Sequence, residues 1–414
     1  VTHISTDLTT AYAELVARGL SLDLTRGKPS PSQLDLSNAM LGLPGDGDYR
    51  DAAGTDLRNY GGPDGLPELR AIMGELLGIP TDQLLALDTT SLPLMHEVLV
   101  AALLTGVPHG DGPWRNVEGV SFLCPVPGYD RHFAICEALG IRMIAVPFTD
   151  TGLDLDTIRS LVANDPSIRG MWTVPMYSNP TGYSLTVEEV EALVAMPTAA
   201  DDFRIMWDNA YAVHHLTDDP DPVIDVLGLA AAAGHPDRPI VFASTSKVTF
   251  AGGGVGFVGG SPANIAWIRK HWSARTIGPD KLNQLRHVRF FGDAAGVVAH
   301  MAKHRALLEP QFEAVLQILE ERLRGVASWT RPRGGYFISL DAGDGVATRA
   351  IALAKEAGIL VTAAGAPFPY GDDPRDSTIR LAPSFPSLDE LRAGIDGLCT
   401  CVLLAQQERA AAAE

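Results

Sequence analysis

The chain has 414 residues, 46% of them hydrophobic and 20% charged, with a formal net charge of −18. That length exceeds a single hydrophobic core of ordinary size and predicts a large domain with a smaller companion. The negative balance excludes nucleic acid and anionic membrane as main partners, yet leaves anionic small molecules open, because local arginines can build a positive pocket inside an acidic protein.

Four cysteines, Cys124, Cys136, Cys399 and Cys401, are too few and too scattered for a disulfide scaffold. Cys399-x-Cys401 lacks a second ligand pair, so no metal site is expected, and reduced thiols in a cytoplasmic setting are. The apolar stretch from Leu92 to Val107 is broken by His96 and Glu97, short of a membrane span. Val1-Thr-His-Ile-Ser carries no leader pattern, and the Ala-rich tail from Gln406 is expected to fray.

From Thr6 to Gly19 the apolar residues Leu8, Tyr12, Leu15 and Val16 recur at helical spacing. Leu22 to Pro29 then turns extended and gathers Arg26, Gly27 and Lys28 into a positive corner. Arg58-Asn-Tyr60-Gly-Gly-Pro-Asp-Gly is a tight turn leading into a helix from Pro67. Asp88-Thr89-Thr90-Ser91 precedes a helix from Leu92 to Leu104. Its hydroxyls and free amides suit either plain capping or an anion.

From residue 118 strands and helices alternate, which predicts an α/β fold with a mainly parallel sheet. Strands are read at Val120–Leu123, Ile141–Val146, Gly170–Val174, Phe203–Trp207 and Ile240–Ala243. Helices fall at His132–Leu139, Leu155–Val162 and Thr186–Val194, the last opened by a Thr186/Glu189 capping box. The Ile240–Ala243 strand feeds Ser244-Thr-Ser246-Lys247 and then the glycines Gly252 to Gly254. Gly254-Val-Gly256-Phe-Val-Gly259 matches a dinucleotide fingerprint, but a lysine turn precedes it and Val255–Val258 reads as a strand, so that reading is set aside.

In open α/β sheets ligands sit beyond the carboxyl ends of the strands, where Tyr129, Asn179, Asp208, Tyr211 and Lys247 all fall. Pyridoxal phosphate fits this set: it needs an amine for its aldehyde, a carboxylate for its ring nitrogen, donors for its phenolate and an anion site for its phosphate. Lys247 supplies the amine, since desolvation favours the neutral form that makes a Schiff base. Asp208 faces the ring nitrogen, Asn179 and Tyr211 the phenolate, and Thr89, Thr90, Ser244 and Ser246 the phosphate.

Ser178-Asn179-Pro180-Thr-Gly182, Trp207-Asp208-Asn-Ala-Tyr211, Ser244-Thr-Ser246-Lys247 and Ile379-Arg380-Leu381 together resemble the fold-type I, class I/II aminotransferases, in the family's order. Leu22-Asp-Leu-Thr-Arg-Gly-Lys-Pro-Ser30, Cys124-Pro-Val-Pro-Gly-Tyr-Asp-Arg-His132 and Arg380-Leu-Ala-Pro-Ser-Phe-Pro386 further resemble a bacterial subgroup of aspartate aminotransferases called Ic. The resemblance implies a seven-stranded, mainly parallel sheet between helices and a homodimer with shared active sites. It makes Arg380 the clamp for the substrate α-carboxylate, brings Tyr60 to the neighbouring subunit's cofactor, sets Gly27 and Tyr336 along the substrate side, and makes Tyr129 the ring-stacking aromatic. The family's arginine some eight residues after the lysine is missing, since that region reads Ala251-Gly-Gly-Gly-Val255-Gly-Phe257. Lys281 or Arg275 is expected to replace it.

A transaminase follows, with aspartate or glutamate as donor and 2-oxoglutarate as acceptor. A distal substrate carboxylate would be met by Arg26 or Lys28, with His287 or Arg289 as further choices. The alternatives on the same scaffold are a lyase or decarboxylase, a transaminase for neutral or aromatic amino acids, and a ligand-binding regulator. The last needs a DNA-binding module, and the residues ahead of Tyr60 hold no basic recognition helix. Residues 45–275 are expected to form the large cofactor domain, with 1–44 and 276–414 forming a smaller α/β lobe that closes over substrate.

Overall fold

The computed structural model describes residues 8–149 and 151–413. The first half runs α1 (Leu8–Ala17), β1 (Leu22–Asp23), α2 (Pro31–Asp35), α3 (Pro67–Leu77), β2 (Leu84–Ala86), α4 (Ser91–Thr105), β3 (Ser121–Val126), α5 (Asp130–Leu139), β4 (Arg142–Thr149), β5 (Gly152–Leu153), α6 (Leu155–Asn164), β6 (Ile168–Thr173), α7 (Val187–Ala195) and β7 (Arg204–Asp208). It continues with α8 (Val226–Ala232), β8 (Pro239–Ser244), β9 (Gly256–Gly260), α9 (Pro262–Arg275), α10 (Lys281–Phe291), α11 (Ala294–Leu323), β10 (Ser328–Trp329), β11 (Ile338–Asp341), α12 (Ala347–Glu356), β12 (Ile359–Leu360), β13 (Thr378–Leu381) and α13 (Leu388–Ala413).

The principal sheet has the order β2-β9-β8-β7-β6-β3-β4-β5. Strands β4, β3, β6, β7 and β8 run parallel, while β9 opposes both β8 and β2, and β5 folds back on β4. The eighth strand, beyond the seven implied, is this two-residue β5, too short to leave an alternating pattern. Successive side chains of a strand point to opposite faces, and here they feed two separate hydrophobic clusters. Ile205, Trp207, Val241 and Ala243 join one cluster, and Met206, Ile240 and Phe242 the other. Burial on both faces is why these strands read as unbroken apolar runs.

The chain steps from β3 outward to β4, then returns to β6 and proceeds the other way through β7 and β8. The reversal between β3 and β6 is a topological switch point, and the loops leaving the carboxyl ends of β3, β6, β7 and β8 surround it. Outside residues 45–275, β10, β11 and β13 form an antiparallel sheet and β1 pairs in parallel with β12.

The Thr186/Glu189 capping box opens α7 as its sequence predicts. In α1, Leu15 is buried but Val16 is 41% exposed, so the apolar stripe is narrower than its spacing suggests; Thr6 lies outside the described residues. The tail does not fray within the described residues: α13 runs to Ala413. Gln406 donates to the carbonyls of Val326 and Ala342, both at 2.8 Å, and Arg409 Nε to Asp344 O at 2.7 Å. These anchors, added to an Ala-, Glu- and Arg-rich composition, favour helix where composition alone suggested a loose end. No described helix is long and apolar enough to cross a membrane, and all four cysteines are buried and free.

Two buried basic side chains, one charged and one neutral, hold the frame of the sheet. Arg238, just before β8, is 4% exposed and donates to Val194 O at 2.7 Å and Met196 O at 2.8 Å, carbonyls at the end of α7. Arg238→Met should therefore lower unfolding free energy by about 3 kcal/mol, read as a lower denaturant midpoint. His287 on α10 is fully buried against Thr245 Oγ1 (3.1 Å), Thr249 Oγ1 (3.0 Å) and Asn283 O (2.8 Å), and burial pushes its pKa down to about 4. The unfolded chain accepts that proton near the ordinary value of about 6.5. Stability is therefore complete above that pH and is lost as pH falls toward 4. Denaturation between pH 7 and 4 should show this slope, and His287→Asn should flatten it by at most about 3 kcal/mol.

Candidate active site

Parallel register brings the strand ends level. Asp208 closes β7 opposite Phe242 of β8, and five residues past Phe242 the chain reaches Lys247. Lys247 is half-buried, and protein packed around its ammonium lowers its pKa, with the charge of Asp208 pulling the other way. Its Nζ lies 4.8 Å from the centroid of the Tyr211 ring. Burial raises the Tyr211 phenol far above its ordinary range, helped by the neighbouring Tyr129 and Asp208, so it remains a protonated donor.

Asp208 is 2% exposed, and its Oδ2 is held by His132 Nε2 at 3.0 Å. The His132 ring stacks on Trp172 of β6, with centroids 4.2 Å apart and planes 6° from parallel. Tyr129 meets the same imidazole edge-on at 4.9 Å. The other oxygen, Asp208 Oδ1, is buried and has no hydrogen-bond partner. A fixed carboxylate with one oxygen satisfied and one unsatisfied is equipped to accept an N–H from a ring placed beside Lys247.

A second unsatisfied atom, Ser246 Oγ, marks the anion end. A Cβ added to Gly254 would lie 3.0 Å from Thr89 O and 3.1 Å from both the nitrogen and Oγ of Ser246. At Gly256 it would lie 2.3 Å from Thr90 O. Glycine at these two positions thus lets the loop after Lys247 close against the start of α4. Thr90 is the N-cap of α4 but makes no side-chain capping bond, so its hydroxyl and the first-turn amides remain available to an anion. Ser244 stands beside them, its Oγ 3.4 Å from Ser246 N.

Arg380 on β13 is 8% exposed and reaches into the same region. Its Nη1 donates to Asp130 Oδ1 at 2.9 Å and stands 3.5 Å from Asn179 Oδ1, while its Nε is 3.4 Å from Thr362 Oγ1. Gly27 lies against the Phe337 ring, which would be 2.0 Å from an added Cβ, and the Arg380 guanidinium sits 5.2 Å from that ring's centroid. The N-terminal loop is thereby packed onto the arginine's own support.

Several expected roles change. Tyr336 has no exposed surface and sends its hydroxyl toward Lys247 O at 3.4 Å, so it backs the lysine instead of lining a substrate cleft. Lys281 Nζ is committed to Asn59 O (2.7 Å) and Gly61 O (2.6 Å) and lines a cleft with Tyr60; it braces that loop and does not reach the Ser246 cup. Arg275 does line the cleft with Thr89 and Gly254, paired with Asp88 at 2.9 Å. His287 is no cation at neutral pH, because burial keeps it uncharged. Arg289 pairs with Asp48 at 2.8 Å and is spent there. His132 and Asp130 went unassigned in the sequence. Their signal was a histidine and an aspartate in the first turn of a helix that directly follows a strand-end loop.

Comparison with known proteins agrees with this geometry. The family model described as aspartate amino-transferase matches residues 1–414. Over 401 residues the chain is 60% identical to a protein of Mycolicibacterium smegmatis, covering 96% of this chain and 94% of the other. It is 52% identical over 404 residues to an aspartate aminotransferase of Corynebacterium glutamicum, covering 97% and 93%. The crystal structure of an aspartate transaminase from C. glutamicum superposes with a TM-score of 0.95 at 51% identity, covering 97% and 95%. At 20% identity, where only the fold is comparable, the α-aminoadipate aminotransferase of Thermus thermophilus, solved with N-(5'-phosphopyridoxyl)-L-leucine, gives a TM-score of 0.75 over 98% and 96%. This chain belongs to the aspartate amino-transferase family and is an aminotransferase of fold type I.

Proposed function

We propose that the enzyme depends on pyridoxal phosphate, takes aspartate or glutamate as amino donor and 2-oxoglutarate as acceptor, and works in the cytoplasm as a homodimer. The observation that carries this reading is the pairing of an enclosed amine, Lys247, with a buried carboxylate whose Oδ1 has no partner, Asp208. When bound, the cofactor supplies an aldehyde for the lysine and a ring that draws electrons from the substrate's Cα.

The remaining work belongs to the chain's own groups. Arg380 binds the substrate α-carboxylate through charge-assisted hydrogen bonds. Lys247 Nζ, biased toward its neutral form, takes the Cα proton as general base. Asp208 Oδ1 accepts from the ring nitrogen and keeps that nitrogen protonated, while His132 holds Oδ2 in place. Tyr211 and Asn179 donate to the phenolate oxygen, and Tyr129 flanks the ring. Thr89, Thr90, Ser244 and Ser246 bind the phosphate together with the amides of α4. The dipole of that helix and Arg275 supply the positive potential that the missing arginine gives elsewhere in the family. The segments 1–44 and 276–414 close over the substrate, excluding water.

Dimerisation is supported by an exposed apolar patch beside the Tyr60 loop. Tyr60 is 80% exposed, Ile277 64% and Leu282 37%, and the loop is pinned by Lys281 as though to present the tyrosine outward. For the distal carboxylate, Arg26 is already paired with Asp23 at 2.6 Å, whereas Lys28 rests 4.3 Å from the Phe385 ring centroid and has no carboxylate partner among the described residues. Lys28 is therefore the preferred cation.

Protein mixed with pyridoxal phosphate should turn yellow, lose the colour with aspartate and regain it with 2-oxoglutarate. Borohydride reduction should then leave the cofactor's mass on the peptide containing Lys247; a stable increment elsewhere, or none, overturns the reading. Lys28→Ala should raise KM for aspartate by about tenfold while leaving KM for alanine nearly unchanged, and Arg26→Ala should do so less. Equal effects on both substrates would remove Lys28 from the role.

A further inference from the structure

A set of buried polar side chains that the proposed reaction leaves without a task forms one hydrogen-bonded chain that reaches the peptide of Lys247. Gln33 on α2 has no exposed surface; its Oε1 accepts from Ser30 N at 3.0 Å, and its Nε2 meets Tyr336 Oη at 3.0 Å and His304 Nδ1 at 3.1 Å. The Tyr336 hydroxyl is 3.4 Å from Lys247 O, which is also approached by His214 Nε2 at 3.3 Å. His304 Nε2 lies 3.1 Å from His300 Nε2, and that atom lies 2.9 Å from Val248 O.

A hydrophobic core needs none of these groups, and each costs about 1–3 kcal/mol if left unpaired. The two ends of the chain say what it joins. One end is Ser30, at the close of the Arg26-Gly27-Lys28 loop; the other is the backbone that carries Lys247. Gln33 sets the direction of the whole array. Because its oxygen is occupied by the Ser30 N–H, its NH2 donates to both Tyr336 and His304. The Tyr336 proton is thereby left for Lys247 O, and His304 must carry its own proton on Nε2, which makes His300 Nε2 an acceptor. With the amide reversed, Tyr336 would donate to Gln33 and release the Lys247 carbonyl.

We propose that Gln33 is a positioning residue that couples the seating of the 26–30 loop to the orientation of Lys247 through Tyr336. The inference rests on Lys247 being the reacting amine. Gln33→Glu isolates the polarity of the array from its volume, since glutamate serves the Ser30 capping box as well as glutamine does but donates to neither Tyr336 nor His304 when ionised and to only one of them when protonated. It should lower kcat about tenfold with KM for the amino donor changed less than about threefold. In the cofactor-free chain it should alter, by about threefold or more, the rate at which limiting acetic anhydride labels Lys247 at fixed pH, read by mass spectrometry. A merely structural role would scale kcat with the folded fraction and leave the labelling rate of folded protein unchanged. Should Gln33→Glu lower the melting temperature, Tyr336→Phe decides, because it removes only the hydroxyl and should alter labelling in the same direction. Labelling and kcat equal to wild type in both variants would overturn the role of Gln33 alone. A wild-type chain that neither turns over nor labels at Lys247 would overturn the functional reading with it.

Discussion

The hydrogen bond between His132 and Asp208 ties together the two halves of the site. Asp208 ends β7 on one side of the point where strand order reverses, and His132 opens α5, which follows β3 on the other. The stack of His132 on Trp172 of β6 fills the space between them, so one imidazole fixes the height of a carboxylate relative to three strands. Two side chains 2% exposed can hold such a contact only if the strands beneath keep their register. The sandwiching of β7 and β8 between two hydrophobic clusters enforces it, because a slip of one residue would turn every buried side chain to the wrong face. Catalytic geometry in this enzyme is thus inherited from sheet register.

Electrostatics inside the chain runs opposite to its net charge. On the surface, opposite charges meet in pairs such as Arg349 with Glu408 and Arg375 with Asp344, each of which contributes little in water. Within the interior, cations are enclosed and given carbonyl or carboxylate partners: Arg238 at the end of α7, Lys281 beneath the Tyr60 loop, Arg380 against Asp130. Histidines there are kept neutral by burial. Among the described residues Lys247 has no such partner on its ammonium, with the Tyr211 ring and the field of Asp208 as its surroundings. That contrast fits the amine role proposed for it.

Much of this was legible in the sequence, for identifiable reasons. Strand ends advertise themselves, since an apolar run that stops at Asp208 or Ser244 marks both the carboxyl end of the strand and the polar residue presented there. Hence β3, β4, β6, β7 and β8 and the residues that follow them fell where the pattern indicated. Contacts between segments far apart in the chain left no such trace. Nothing in Asp280-Lys281 tells that its ammonium crosses to Asn59 and Gly61, and nothing in Gly335-Tyr336 tells that the phenol turns behind Lys247. Gln33, His300 and His304 read as ordinary helix residues because their partners come from four separate stretches. β5 was too short for any period, and the final turns of α13 are held by side-chain anchors that composition does not register.

The arginine assigned to the substrate never stands alone. With Asp130 Oδ1 at 2.9 Å from its Nη1, the guanidinium has already exchanged water for a carboxylate before any ligand arrives. An arriving α-carboxylate therefore swaps one anion for another, and the free energy of capture is a difference between two similar ion pairs. Asp130, whose side chain is 35% exposed, can swing toward solvent when displaced, whereas a neutral ligand has nothing with which to dislodge it. On the role proposed for Arg380, the resting pair would favour ligands that carry a carboxylate over uncharged molecules of the same shape.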